Sequence, residues 1–316
     1  MKIVEIVIVS AFTCFFTACG GGDEGNTDNS DSNNQQNATS NNEARKIQLG
    51  KAIFEDIRLS ARGNQSCASC HDAGRGFADP DTTVENPVSE GSISGSFGNR
   101  NAPSSAYAGF SPRFGRTTDM ADNPVFVGGQ FIDGRRNTLE EQAADPFLNM
   151  DEMANPSKQA VIDKIKTATY VDDFVEVFGS EVFNNTENAY NKVTEAIAAF
   201  ERSAEMNPFN SEFDCYLQDP DSYPLSPSAQ AGLEIFAGQQ ARCSSCHPIE
   251  PDPVSGKVLL TNFQYFNIGV PRNNNNPDGS TDFGLGGRLR NSNEDGKFKT
   301  PSLRNIAVTA PYMHNG

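Results

Sequence analysis

Two copies of one short pattern constrain this chain more than anything else in it: Cys67-Ala-Ser-Cys70-His71 and Cys243-Ser-Ser-Cys246-His247. C-x-x-C-H is the attachment motif for c-type haem. Two thiols three residues apart reach the two vinyl groups on one edge of the porphyrin. The next residue presents an imidazole to the iron. Cys67 and Cys70 are therefore expected to hold one haem with His71 on its iron, and Cys243, Cys246 and His247 a second. The alternatives are two redox C-x-x-C pairs, or a four-cysteine zinc site built from both. A histidine directly after each pair favours haem.

The flanking residues repeat as well. "QLGKAIF" (48–54) precedes the first motif and "QAGLEIF" (230–236) the second. Leu49, Ile53 and Ile57 recur every fourth residue, as on one face of a helix. Ser226-Pro227 is a good helix start. Helical spacing recurs in "SKQAVIDKIKTA", in "VDDFVEVFG" ending at Gly179, and in "TENAYNKVTEAIAAFERSAE". These three are read as packing elements. Strand signals are few. The expected fold is mainly α, with two tandem cytochrome c-like haem domains and long loops. The boundaries read as 44–208 for the first domain and 209–316 for the second, with Pro208 to Pro227 as the crossover.

Residues 1–19, "MKIVEIVIVSAFTCFFTAC", carry an apolar run too short to anchor permanently in a bilayer, which reads as a secretory signal. "FTAC" resembles the lipobox of bacterial lipoproteins, with Cys19 the acylated residue; the alternative is an ordinary signal with a chance cysteine. The absence of Asp after Cys19 implies an outer-membrane destination. Residues 20–43 are so poor in apolar side chains that a disordered tether is expected. No later segment is long and apolar enough to span a membrane, so the expected contact is the lipid alone.

The formal charge of −16 argues against nucleic acid as a partner. With Cys14 and Cys19 in the leader and four cysteines in the motifs, Cys215 remains, read as a free or buried thiol. A disulfide framework does not fit pairs this closely spaced. Only three histidines exist, two of them in the motifs. The methionines after the first, Met120, Met150, Met153, Met206 and Met313, are more often core residues than ligands. Scarce axial ligands suggest that at least one iron keeps an open position where peroxide binds. Cleaving the O–O bond requires a proton carried between its two oxygens. With no spare histidine, a carboxylate is the expected carrier.

From Gln48 onward the chain resembles the bacterial di-haem cytochrome c peroxidases and their MauG-like relatives. The stretches that carry the resemblance are "LGKAIFEDIRLS", "SCASCHDAGRGFADP", "GNRNAPS", "FIDGRRNTLEEQAADPFLNMDEM", "RCSSCHP" and "FKTPSLRNIAVTAPYMHNG". The resemblance implies a peroxidatic first haem and an electron-transferring second. It implies a peroxide pocket lined by Glu152, as proton shuttle, and Gln142, as orienting amide; read without it, either is a solvated helix residue. It also implies a calcium ion between the domains, held by the Asn101 side chain and the carbonyls of Thr309 and Pro311. His314 matches a histidine of the inter-haem region rather than an iron ligand.

Three departures qualify the resemblance. Peroxidases that need reductive activation carry a histidine ahead of "RNAP" that caps the resting iron; "ENPVSEGSISGSFGNRNAP" has none, so the first haem is expected to be open without activation. Ile132 stands where the family has Trp in "FWDGR", which removes an aromatic relay between the haems. The sequence ends at "HNG", before the family's segment bearing the sixth ligand of the second haem, so the chain is read as truncated. The leading expectation is reduction of hydrogen peroxide by a small periplasmic cytochrome or cupredoxin. The alternatives are MauG-like oxidation of residues in a partner protein and plain electron carriage. A homodimer is also allowed by the resemblance.

Overall fold

The computed structural model describes residues 30–119 and 121–316, with side chains from Thr39 onward. The leader, the Cys19 lipobox, residues 20–29 of the tether and Met120 lie outside the described residues. Among the described residues the chain is mainly helical, with two small antiparallel sheets.

Helix α1 (Ser30–Phe54) begins inside the stretch read as a tether. Extending a helix costs little once a packed segment has nucleated it. The packed segment is its C-terminal part, where Leu49, Ile53 and Phe54 are buried. This face lies on α6 (Thr186–Glu201), which buries Tyr190, Val193, Ile197 and Phe200. The helices meet so closely that a Cβ on Gly50 would lie 1.9 Å from the Ala196 carbonyl oxygen. Phe54 and Phe200 meet edge to face at 5.3 Å. Each fully buried side chain of this kind contributes about 1.5–3 kcal/mol.

The expected helical face does not extend to Ile57, which is 49% exposed. Asp56 caps a 3-10 turn there, accepting from the Arg58 amide and guanidinium and from the Tyr170 hydroxyl, and this turns the chain off the helix axis.

The helix α2 (Cys67–Cys70) is the first motif itself, and α3 (Leu139–Ala143) is capped by Thr138. Helices α4 (Lys158–Ile165) and α5 (Val171–Phe178) complete the first core, with Val161, Ile165, Ala168 and Phe174 buried. One apolar cluster runs from Leu49 to Met206.

The crossover is more ordered than its composition suggested. It contains α7 (Glu212–Gln218), started by a reciprocal Ser211–Asp214 capping box. Helix α8 (Pro227–Ala237) starts at Ser226 as expected, and α9 (Gly284–Leu289) follows late in the chain. Strands β1 (Gly115–Thr118) and β2 (Pro124–Val127) pair in the register Gly115↔Val127. Strands β3 (Tyr265–Phe266) and β4 (Phe298–Lys299) pair as Tyr265↔Lys299.

These strands form the seam between the halves. Val127 bridges to Gln264, and the Tyr265 hydroxyl donates to the Gly128 carbonyl at 2.6 Å. Arg100 joins Asp133 at 2.7 Å to Asp282 at 2.6 Å. Arg304 forks onto Asp214 at 2.7 and 2.9 Å and lies over the rings of Tyr107 and Phe209. No described helix is long and apolar enough to cross a membrane.

Candidate active site

One helical turn puts Cys67 and Cys70 on the same face of α2. His71 ends that helix, its amide donating to the Cys67 carbonyl at 2.9 Å. Its Nδ1 lies 3.1 Å from the Phe77 carbonyl. With Nδ1–H donating there, Nε2 is the ring nitrogen left for iron. Phe77 adopts φ +61°, a conformation costly for a non-glycine residue. It is held there by its own amide on Asp72 and by the Asp72–Ala78 bridge.

The second motif repeats the device. The His247 amide donates to Cys243 at 2.9 Å, and its Nδ1 lies 2.8 Å from the carbonyl of Leu260, again a left-handed residue at φ +53°. Burial lowers the pKa of both histidines, favouring the neutral imidazole that binds metals.

None of the four motif thiols is in a disulfide. Around the second motif, α8 buries none of its residues, although Leu233, Ile235 and Phe236 are apolar. Paired free thiols, an oriented imidazole and an uncovered apolar wall suit a flat, largely apolar macrocycle. The four motif cysteines do not converge into one site: no cluster of three or more His, Cys, Asp or Glu that could hold a metal occurs among the described residues.

Glu152 sits in a tight turn, its amide on the Asn149 carbonyl and its Oε1 accepting from Asn149 Nδ2 at 3.0 Å. Burial raises its pKa, and the Asn149 donor and the Arg135 charge oppose that rise. The Glu152 charge contributes, as a lesser influence after burial, to raising the pKa of both the Cys67 and Cys70 thiols. Gln142 is half-buried on α3, before the turn from Asp145 to Asn149 that leads to Glu152.

The Asn101 amide donates to the His314 carbonyl at 2.9 Å, bringing Asn101 to the segment with Thr309 and Pro311. The Asn101 side-chain nitrogen donates to the Pro87 carbonyl, so its oxygen is the atom open to a cation. The His314 ring stacks on Phe298 at 3.9 Å, in the field of Asp282 and Arg100. Ile132 accepts the Lys299 amide at 2.8 Å, and the neighbouring Phe131 ring lies 3.3 Å beneath the Arg135 guanidinium.

Several charged residues escaped the sequence reading. The Lys299 amine is buried against the Gly129 carbonyl and the Ser111 hydroxyl, and burial brings its pKa down to about 7. Arg100, Asp133, Arg135, Asp282 and Arg288 line a cleft of about 300 Å3 at the seam. Glu201, at the end of α6, is 4% exposed, with Oε2 unpartnered. Only a charge interrupting an apolar helical face marked it in the sequence.

A chain with two such sites is a di-haem c-type protein, and the comparisons agree. Residues 44–222 match the family model described as di-haem cytochrome c peroxidase. The methylamine utilization protein MauG of Paracoccus denitrificans is 37% identical over 278 residues, 85% of this chain and 70% of that protein. The cytochrome c peroxidase Ccp of Escherichia coli is 32% identical over 276 residues, 87% of this chain and 50% of that one. The crystal structure of the diheme peroxidase BthA from Burkholderia thailandensis superimposes with a TM-score of 0.76 at 36% identity, covering 85% of this chain and 68% of that chain. The chain belongs to the di-haem cytochrome c peroxidase family, whose members are peroxide-acting oxidoreductases with two c-type haems.

Proposed function

We propose that this protein reduces hydrogen peroxide to water at its first haem, with electrons entering through the second. The observation that carries this reading is the half-buried Glu152 carboxylate, whose pKa is raised by desolvation and whose charge is felt at the thiols of the first motif. Haem held by Cys67, Cys70 and His71 would supply the redox chemistry and the Lewis acidity needed to cleave peroxide. The protein's own residues manage the proton. Glu152 takes it from the oxygen nearer the iron and passes it to the farther one, which leaves as water when the O–O bond breaks. Gln142 holds peroxide by its amide. Overall, one peroxide, two electrons and two protons give two waters. Asn149, donating to Glu152 Oε1, keeps the acceptor lone pairs aimed.

The electrons come from a small cytochrome or cupredoxin, in a periplasmic setting with a lipid at Cys19. A calcium ion on Asn101, Thr309 and Pro311 joins the halves. The missing capping histidine supports turnover without prior reduction. It also favours a second reading, MauG-like oxidation of residues in a partner protein, against which Ile132 counts.

Glu152→Gln in the complete two-haem protein is expected to slow the reaction with peroxide roughly 10²- to 10⁴-fold. It is also expected to abolish the acid limb of the pH profile. Because burial raises the pKa of Glu152, that limb lies above the ordinary carboxylate value of about 4.3. An unchanged rate constant for peroxide rejects the assignment. Rapid reaction with peroxide that leaves reduced donors untouched favours the second reading.

A further inference from the structure

The segment that lacks the capping histidine folds into a hairpin with a definite attachment. Glu90 bridges Phe97, the Gly91 amide donates to Ser96 at 2.8 Å, and the Gly98 amide donates to Ser89 at 3.0 Å. One side of the hairpin is fastened to the Glu152 turn. The Ser92 amide donates to the Glu152 carbonyl at 2.6 Å, and the Ser96 hydroxyl donates to Asp151 Oδ1 at 2.7 Å. The two backbones touch at Gly91, where a Cβ would lie 2.5 Å from the Asp151 carbonyl oxygen and 3.0 Å from that of Glu152. Only glycine admits this approach without moving one of the backbones.

The other side is fastened to the first haem motif. Gln65 Nε2 donates to the Glu90 carbonyl at 2.8 Å and lies 3.5 Å from Cys70 Sγ. The Ser92 hydroxyl donates to Asn64 at 2.7 Å, and Asn64 Nδ2 returns a bond to the Ser92 carbonyl at 3.2 Å. Ser89 donates to the buried Asp79.

We infer that this hairpin is a positioning clamp: Gly91, Ser92 and Ser96 fix the Glu152 carboxylate at a set distance from the haem on Cys67 and Cys70. The inference rests on Glu152 being the proton carrier. It assigns a role to a segment with no ligand of its own. Both fastenings are already made, so the acid/base is in place without rearrangement. Proton transfer depends steeply on placement, and a displacement of about 1 Å costs on the order of 100-fold.

The test uses the complete protein with both haems loaded, and reads the rate constant for hydrogen peroxide and its pH profile. Gly91→Ala is expected to lower the rate about 10- to 100-fold and to shift the acid limb. Gly91→Ala combined with Glu152→Gln is expected to be no slower than Glu152→Gln alone, because the clamp acts through that carboxylate. Ser96→Ala, which removes a hydroxyl and adds no bulk, carries the test should Gly91→Ala fail to load haem. It is expected to shift the acid limb in the same direction, with Ser96→Thr restoring it. Ser94→Ala, at the hairpin tip, is expected to leave both readouts unchanged.

Wild-type rates and acid limbs in Gly91→Ala and Ser96→Ala, beside a crippled Glu152→Gln, overturn the clamp and leave the Glu152 assignment standing. A Glu152→Gln variant with full activity overturns both.

Discussion

The heptapeptides before the two motifs are near copies, yet they sit in opposite surroundings. In the first, Ile53 is 1% exposed; in the second, the matching Ile235 is 63% exposed. A Cβ on Gly50 would strike the Ala196 carbonyl, whereas one on the matching Gly232 meets nothing within 4 Å. The difference is α6, a partner helix that covers the first copy. The first half carries a protein core from Leu49 to Met206, while α8 buries none of its apolar side chains fully: Leu233 and Phe236 are half-buried and Ile235 is exposed. Closely similar heptapeptides thus serve as a core element in one half and as a partly exposed helix beside the motif in the other. Where a bound group completes the burial, binding energy becomes folding energy.

The largest break in this comparison comes from removing haem attachment one site at a time. Cys243→Ser with Cys246→Ser is expected to abolish protection of the α8 amides against hydrogen exchange. Cys67→Ser with Cys70→Ser is expected to leave α6 protected while eliminating the reaction with peroxide. Protected α8 amides in the second-site variant would mean that protein contacts alone stabilise that half.

The same contrast explains what the sequence made legible. The helices of the first half announced themselves because their apolar faces, Val161/Ile165 and Tyr190/Val193/Ile197/Phe200, pack against protein at helical spacing. The two C-x-x-C-H motifs stand out in the sequence because covalent haem attachment demands cysteine and histidine in one contiguous pattern. The carbonyls that orient the two histidines were not readable. They belong to Phe77 and Leu260, ordinary apolar residues in left-handed conformations that only their loops impose. Helix α7 was hidden by its brevity, and Ile57 was misplaced because Asp56 ends the helix by a side-chain cap that periodicity ignores. The seam ion pairs join residues far apart in the chain, such as Asp214 with Arg304, and no local pattern announces them.

That pair sharpens the comparison from the other side, since it links the crossover helix to the second half beside the first-half ring of Tyr107 and the crossover ring of Phe209. Arg304 also donates to the Val258 carbonyl. Removing one partner of a buried ion pair costs about 3–5 kcal/mol. Asp214→Asn is expected to lose that much in denaturant unfolding, the second half opening first. Burial disfavours ionised Asp214, but Arg304 and Ser211 outweigh it and hold its pKa below the ordinary value. The stabilisation is therefore fully present above the unfolded aspartate pKa of about 3.9 and is lost as pH falls through the lower folded value. Wild type and Asp214→Asn are expected to converge in stability only in strong acid.

The smallest expected effect lies inside the well-packed half, at Glu201. Burial raises this carboxyl to a pKa of about 8, with Arg202 lowering and Glu140 raising it by smaller amounts. In the unfolded chain it titrates near 4.3. The folded state therefore keeps a proton that the unfolded state releases. The stability this carries is fully present below about pH 4.3 and is lost as pH rises through about 8. Glu201→Gln cannot titrate and escapes that loss. Its stability relative to wild type is expected to improve between pH 5 and pH 8, by up to about 3 kcal/mol. Chemical denaturation at the two pH values measures the change. A difference that does not vary with pH would mean that a donor holds the carboxylate ionised in the complete protein.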